Sequence, residues 1–579
     1  MKKHWQILQP DAPTVQTICN ALNCSPVTAK ILVNRKILSE KDAYAFLNPS
    51  LNNIRPPSAI KDIDAAVHRI YEALTRHEKI LIFGDYDVDG ITATTILLEF
   101  LQYTGANVSY YIPHRSKEGY GLQIKHIIDQ ALPQGINLII TVDCGSHSHD
   151  AVEAARNAGI DVIITDHHNI PEKLPTAAIV VNPKRLDCPS GFSYLAGVGV
   201  SFYLLIHLRK YLRDKHFWHR RPEPNLRNFC DLVALGTIAD IVPLVEENRI
   251  LTKAGIEVIN SGNRPGLKAL MQVCGMNAKP ADTIDIAYRL APRLNAAGRI
   301  AHAKTAVHLL TTQSYETAMQ IAGSLNHMNI RRQEIENEIL KEIQTHLNTN
   351  THLLEQKAIV LSHQGWHEGI LGIVASKIVE KYYRPVVLLA LKEGVGKGSA
   401  RSVPEIDLYE ALLACMRSII SFGGHSMAAG LKIKSEEIDR FQEDFENTVL
   451  KMSKQKDFTP EISIDCQLDF NVISADLIDE LESLKPFGCG NPEPLFWAEN
   501  IEVLSSKIVG KTHRRLVLRQ PGRQPNKTVD AIQFNIDPRA PLEESYGQIA
   551  FRVRWNHWND KKTEQIVIEE LSQSMSNRA

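Results

Sequence analysis

The chain has 579 residues, too many for one hydrophobic core, so three or four domains are expected. Its 44% hydrophobic and 23% charged residues are ordinary for a globular protein, and no apolar run is long enough to span a membrane. A net charge of −1 excludes a polycation, so any nucleic-acid surface must be local and offset by acidic residues elsewhere.

The nine cysteines are scattered with no C-x-x-C pair, which speaks against a disulfide framework and a zinc site. No apolar signal core follows Met1-Lys2-Lys3, and a reducing cytoplasm is the expected location. Residues 1–50 carry apolar helical faces at 29–33 and 43–47, with Asn48-Pro49 as a stop. They are expected to form an N-terminal helical element without chemistry of its own.

From 51 to 250 strand and helix patterns alternate, which predicts a parallel sheet covered on both faces. Residues 80–83 read as a buried strand, and Asp85, Asp87 and Asp89 follow at alternate positions. Gly90 is expected to end the extended run, with a helix from Thr92. Three carboxylates in one strand-to-helix turn repel one another, and hard oxygen ligands suit Mg²⁺ or Mn²⁺. Strands at 108–112 and 137–142 come next, the second running into Asp143-Cys144-Gly145. The strand 161–165 runs into Asp166-His167-His168, and 178–181 follows. Residues 232–239, read as one more apolar run of this kind, lead into Asp240. One aspartate behind a strand is usually a helix cap. Three strand ends loaded with acidic or imidazole groups converge on one sheet edge, where open parallel sheets bind ligands.

The segment 200–228 is basic and aromatic, with Arg209, Arg213, Tyr211 and Trp218. A solvated helix face is the simpler reading and a nucleic-acid groove the other. Arg293 and Asn295 lie in a run of arginines and small residues that suits phosphate contact. Residues 314–348 predict a polar bridging helix of roughly 50 Å, within a helical linker over 251–350.

A second α/β region is expected over 351–455. Ser399, Arg401 and Ser402 sit in a glycine-rich stretch, and Gly423, Gly424 and His425 in a diglycine turn. Backbone N–H groups in such turns hold phosphates. Over 456–579 alternation predicts strands near 514–519, 531–536, 550–555 and 565–568, a small barrel. Lys507, Lys511, His513, Arg514 and Arg515 add positive charge, and Trp558 is a candidate for base stacking. A barrel with a basic face fits an OB-fold that binds single strands.

The motifs 85–90, 142–145, 166–168 and 236–244, in this order, resemble those of the DHH phosphoesterase family. Gly423-Gly424-His425 resembles the signature of the DHH-associated domain. The resemblance covers nearly the whole chain. It implies two α/β domains (DHH and DHH-associated) joined by a long helix around a cleft, plus the OB-fold. The implied activity is 5′-to-3′ exonucleolytic hydrolysis of single-stranded DNA to mononucleotides, in DNA repair and recombination. Two cations, Mn²⁺ or Mg²⁺, are implied, with the histidine favouring Mn²⁺. The resemblance assigns Asp87, Asp89, Asp143, His167 and Asp240 to the metals, with Asp85 close by as a further candidate metal residue. In this scheme Asp143 bridges, Asp87 serves one ion, and Asp89, His167 and Asp240 the other. His168 would contact the phosphate or move a proton, and Asp166 would orient the histidines. Arg293, Asn295, Ser399, Arg401, Ser402, Gly423, Gly424 and His425 would bind substrate. Expected partners are single-stranded DNA, a single-stranded-DNA-binding protein and a helicase, with no membrane. A short-oligonucleotide nuclease or a pyrophosphatase of the same family is the alternative, but the residues after 459 exceed what those enzymes need. A scaffold that has lost its ligands is a further alternative, and here every motif residue is present.

Overall fold

The computed structural model describes residues 3–276, 280–522, 527–558 and 561–572. The chain divides into two compact units. The first comprises Ile54–Val242 and Ala254–Pro460; the second comprises Lys3–Asn53, Pro243–Lys253 and the chain from Glu461.

The first unit opens with a five-stranded sheet. Its spatial order is Asn107–Tyr111, Lys79–Gly84, Leu138–Val142, Asp161–Thr165, Ala178–Val181, with every pair parallel. Strand Leu138–Val142 is buried throughout, as expected of a strand covered on both faces. The chain crosses in opposite directions from Lys79–Gly84, to Asn107–Tyr111 on one side and to Leu138–Val142 on the other. Such a reversal opens a crevice at the carboxyl ends of the strands. Register fixes what lines it. Gly84 pairs Val142, Val142 pairs Thr165, and Thr165 pairs Val181. The next residues along this row are Asp85, Asp143, Asp166 and Asn182, about 4.8 Å from strand to strand.

Residues 232–239 are helical, within Cys230–Ala239, and not a strand. Nearly every residue of this helix is buried, so it lacks the polar face that would reveal its period.

The second sheet of this unit has the order Ile419–Gly424, Ala428–Lys434, Val395–Arg401, Val386–Lys392, Ile359–His363. Only its last pair is parallel. The glycine-rich stretch 396–402 is therefore mostly strand rather than turn. Gly423-Gly424 likewise ends a strand, paired with Gly430 and Ala429. The helix Tyr315–Thr349, capped by the Ser314 side chain, links the two sheets. Ala318, Ala322 and Leu325 are buried on its first half, while Ile339, Ile343 and Leu347 join the core of the second sheet. Between them the buried positions are polar: Asn329, Arg332 and Glu336.

The second unit is a closed barrel. Strands Phe496–Val509, His513–Arg519, Thr528–Gln533, Lys561–Ser572 and Ser545–Trp558 pair in turn, and the last returns to Phe496–Val509. The sequence pattern missed Phe496–Val509 because its second half alternates poorly and is largely exposed. The side chain of Trp558 lies outside the described residues. The expected N-terminal helical element begins with a strand, His4–Ile7, parallel to Glu461–Ile464. Its helices share one core with the barrel, joining Ile18, Ile31 and Leu32 to Leu477, Phe496, Phe551 and Ile566.

Arg249 ties this unit together. Its guanidinium is buried and donates to the carbonyls of Phe46 (2.9 Å), Leu484 (3.0 Å) and Lys485 (2.9 Å), and stacks 3.7 Å from the Phe46 ring centroid. Burial, with Arg35 nearby, pushes its pKa down to about 9. Leucine in its place would leave these buried carbonyls unsatisfied. We expect Arg249→Leu to lose about 2–4 kcal/mol of stability. Urea unfolding followed by tryptophan fluorescence measures it, and a loss below about 0.5 kcal/mol would contradict the assignment.

Candidate metal centre

The site begins where the strand Lys79–Gly84 ends. The helix Val88–Thr104 starts earlier than expected: Asp87 is its N-cap, accepting from the Gly90 N–H at 3.1 Å, and Asp89 lies in its first turn. Gly90 belongs to the helix, where a Cβ would sit 2.7 Å from the Asp85 Cα, so its bareness lets the turn fold onto the strand end. Asn295 accepts from the Val88 N–H at 3.2 Å and so braces this turn. Asp89 accepts from the N–H groups of Gly197 (2.6 Å) and Val198 (2.8 Å), capping the helix Gly197–Asp214. Asp143 holds a left-handed backbone at φ 60°. A Cβ on Gly197 would lie 2.7 Å from its carboxylate, so that helix end closes tightly over Asp143.

His167 joins these carboxylates. Its Nε2 lies 3.1 Å from Asp143 Oδ1, 3.6 Å from Asp240 Oδ2 and 3.8 Å from Asp89 Oδ2. Three sets of ligand atoms lie within 4.8 Å of one another: Asp85 with Asp87 and Asp143, Asp89 with His167 and Asp240, and Asp143 with His167 and His168. Asp85 Oδ1, Asp143 Oδ1 and His167 Nε2 are buried without a hydrogen-bond partner. Orphaned acceptors aimed into one space fit a hard divalent cation.

Asp166 organises the turn behind the ligands. It accepts from the N–H groups of His167 (2.8 Å), His168 (3.1 Å) and Ser146 (3.0 Å), and from His168 Nδ1 at 2.8 Å. The Tyr120 hydroxyl donates to the Asp143 carbonyl at 3.0 Å and lies 3.0 Å from His168 Nδ1. Asn182 donates to the His168 carbonyl at 3.0 Å.

Charges follow from this crowding. Burial, then Asp87, pushes Asp89 up to about 7; burial, then Asp89, pushes Asp240 up to about 9. Asp85 and Asp143 rise well above the carboxylate range, first from burial and then from neighbouring carboxylates. Burial and the nearby His168 push His167 down to about 3, leaving a neutral imidazole with a free lone pair. Burial opposes the charge on His168, but the Asp166 bond wins and raises it to about 9. Asp166 is held low despite burial by that same bond.

A guanidinium cluster lies beside these carboxylates. Arg299 donates to the Gly369 carbonyl at 2.9 Å, and burial with Arg115, Arg332 and Arg401 pushes its pKa down to about 9. Arg332 has Glu336 as partner; Arg115, Arg299 and Arg401 have no carboxylate ion-pair partner among the described residues. Arg115 lies over the Tyr86 ring at 4.8 Å. Ser399 accepts from Arg401 at 3.1 Å. The exposed His425 ring, from the second sheet, stands 6.4 Å from His168, and a Cβ on Gly423 would meet nothing within 4 Å.

Two expected substrate contacts are occupied otherwise. Arg293 donates to Asn326 (2.9 Å) and the Arg289 carbonyl (2.6 Å), and the buried Ser402 hydroxyl donates to the Ile406 carbonyl at 2.8 Å. Sequence reasoning missed Arg115, Tyr120, Asn182 and Ser146. Asn182 directly follows the strand Ala178–Val181, so the strand-end rule that found Asp143 would have found it; Arg115 and Tyr120 lie further along the loop after Asn107–Tyr111.

Comparison with known proteins agrees with this geometry. Residues 79–237 match the family model "DHH family, N-terminal domain", 355–451 the DHHA1 domain and 464–570 the RecJ OB domain. These matches define a DHH phosphoesterase with an appended OB barrel. The single-stranded-DNA-specific exonuclease RecJ of Bacillus subtilis (strain 168) is 36% identical over 586 residues, 99% of this chain and 71% of the relative. RecJ of Escherichia coli (strain K12) is 34% identical over 94% of this chain and 96% of its own. The crystal structure of RecJ with Mn²⁺ from Thermus thermophilus superposes with a TM-score of 0.84 at 30% identity, covering 99% of this chain and 80% of that one. The chain belongs to the RecJ family.

The raised carboxylate pKa values make a prediction about cation uptake. Carboxylates that retain protons near neutral pH must release them to a cation. We expect Mn²⁺ affinity to climb between pH 6 and 9, about tenfold per pH unit for each proton displaced. Titration calorimetry in buffers of different ionisation enthalpy counts the protons, and cation binding without proton release would contradict these shifts.

Proposed function

We propose that the chain is a metal-dependent 5′-to-3′ exonuclease that hydrolyses single-stranded DNA to mononucleotides and acts in DNA repair and recombination. The observation that carries this reading is a carboxylate–imidazole cluster beside guanidinium groups that lack carboxylate ion-pair partners among the described residues. Family membership supports the substrate: the relatives are named single-stranded-DNA-specific exonucleases.

In this reading Asp85, Asp87 and Asp143 would hold one cation, and Asp89, His167 and Asp240 the other. Bound Mn²⁺ or Mg²⁺ supplies Lewis acidity and a water of lowered pKa. His168, charged at neutral pH, holds a phosphoryl oxygen at the reacting centre. Asp166 and the Tyr120 hydroxyl fix the direction of that imidazolium. Arg115, Arg299, Arg401 and Ser399 receive a second phosphate, the one at the 5′ end. Two phosphates held at a fixed separation measure out one nucleotide per cut. Gly423 lets the strand approach the backbone closely, and His425 meets it from the second sheet. Asn295 acts by bracing the aspartate turn, and Arg293 by holding its own helix. The OB barrel adds a further grip on the single strand. A single-stranded-DNA-binding protein and a helicase are the proposed partners.

Digestion of long single-stranded DNA labelled at either end tests substrate and direction together. We expect the 5′ label to appear first as a mononucleotide, and EDTA to stop the reaction. Early release of the 3′ label would overturn the polarity. Asp143→Asn keeps the size and tolerates the left-handed backbone. It should cut kcat by roughly a thousandfold or more at an unchanged melting temperature. A folded Asp143→Asn enzyme with wild-type activity would sink the metal assignment.

A further inference from the structure

The helix Cys230–Ala239 ends on Asp240, one of the ligand aspartates, and the residue behind it is conformationally odd. Ile241 has a left-handed backbone at φ 61°, and its N–H bonds the Ile238 carbonyl at 3.3 Å. This helix-ending position ordinarily takes glycine or asparagine. A β-branched residue there presses its side chain against its own backbone. Burial could offset that strain, yet Ile241 is 73% exposed. Single apolar side chains on a surface are ordinary; one held in a disfavoured backbone with so little packing in return is not. Asp240 Oδ2 lies 3.6 Å from His167 Nε2, so its chain neighbour stands at the rim of the metal centre. Strain so little compensated by packing, at a reaction centre, points to a role with substrate.

We propose that the Ile241 side chain is a substrate contact that packs against the face of the nucleobase beside the scissile phosphate. The inference rests on the nuclease reading of the site. Every base offers an apolar face, so such a contact ignores sequence. In a duplex that face is covered by stacked neighbours; in a single strand it is free. Ile241 would therefore seat an unstacked base while the phosphate meets the cations, and would act in strand positioning rather than in the bond-breaking step.

Three variants test this in the full-length enzyme loaded with Mn²⁺. Ile241→Asn and Ile241→Gly relieve the strain and remove the apolar group, while Ile241→Val keeps both. We expect the melting temperature of Ile241→Asn to equal or exceed that of the wild type, by about 1 °C or more if the strain is fully released. Its KM for single-stranded DNA should rise roughly fivefold or more, with kcat within about twofold. On a strand with abasic residues near its 5′ end, the wild type should lose as much as Ile241→Asn loses on intact single-stranded DNA, and the variant nothing further. Ile241→Val should match the wild type throughout. A wild-type KM in Ile241→Asn, or an abasic penalty equal in variant and wild type, would overturn the contact. A lower melting temperature in both Ile241→Asn and Ile241→Gly would overturn the strain argument. A wild type inert on every DNA would instead bring down the nuclease reading beneath it.

Discussion

Mutual repulsion among buried carboxylates is the constraint around which the catalytic unit is built. Asp85, Asp89 and Asp143 are almost fully buried, with Asp87 and Asp240 beside them. Two unit charges 4 Å apart repel by about 4 kcal/mol at the effective dielectric of a protein surface. The fold answers part of this with backbone dipoles: Asp89 caps the helix Gly197–Asp214, and Asp166 accepts three N–H groups. His168, held charged by Asp166, adds one positive group. The rest must come from protons or cations, and Asp85 Oδ1 and Asp143 Oδ1 make no hydrogen bond among the described residues. Metal binding is thus the discharge of an electrostatic burden that the sheet itself creates.

The sheet creates it through register, and that part was legible. A parallel sheet whose central strands end together must bring the next residues side by side, so Asp85, Asp143 and Asp166 could be placed from chain order alone. Less legible was anything that depended on a helix buried all round. Residues 230–239 look the same whether strand or helix, yet Asp240 reaches the centre from either. The side proposed to bind phosphate was blurred for a different reason. Glycines at 396, 398, 423 and 424 read as turns, because a sequence does not reveal that another strand will lie against them. Arg293 drew attention over Arg299 six residues later, and only three-dimensional packing separates the arginine tied to Asn326 from the one joined to Arg115 and Arg401.

The second unit defied sequence reading most, since it is assembled from three distant stretches of chain. Arg249 shows how. A cation buried among backbone carbonyls is costly alone, so its presence requires that residues 46 and 484–485 already stand in place. No local pattern encodes that dependence. A helix periodicity over 29–33 reports an apolar face but is silent on what covers it, and here the cover comes from residues more than four hundred positions away.

Charge pairing separates the roles of the cations. On the barrel Arg519 pairs with Glu502, Arg552 and Arg554 with Glu493, and Arg515 with Asp530. Of the basic residues expected from sequence Arg515 is therefore spoken for, and pairs of this exposed kind contribute little and screen readily. Arg115, Arg299 and Arg401 are the reverse case: partly desolvated, crowded, and without a carboxylate ion-pair partner among the described residues. Like charges held together at that cost are worth keeping only where an anion completes them. A chain of net charge −1 cannot attract a polyanion by its bulk field. Its electrostatic grip must be concentrated where cations lack ion-pair partners, which is beside the clustered aspartates. Binding and cutting are then set by the same few phosphates, and a strand that does not present them at that one place gains little from the rest of the surface.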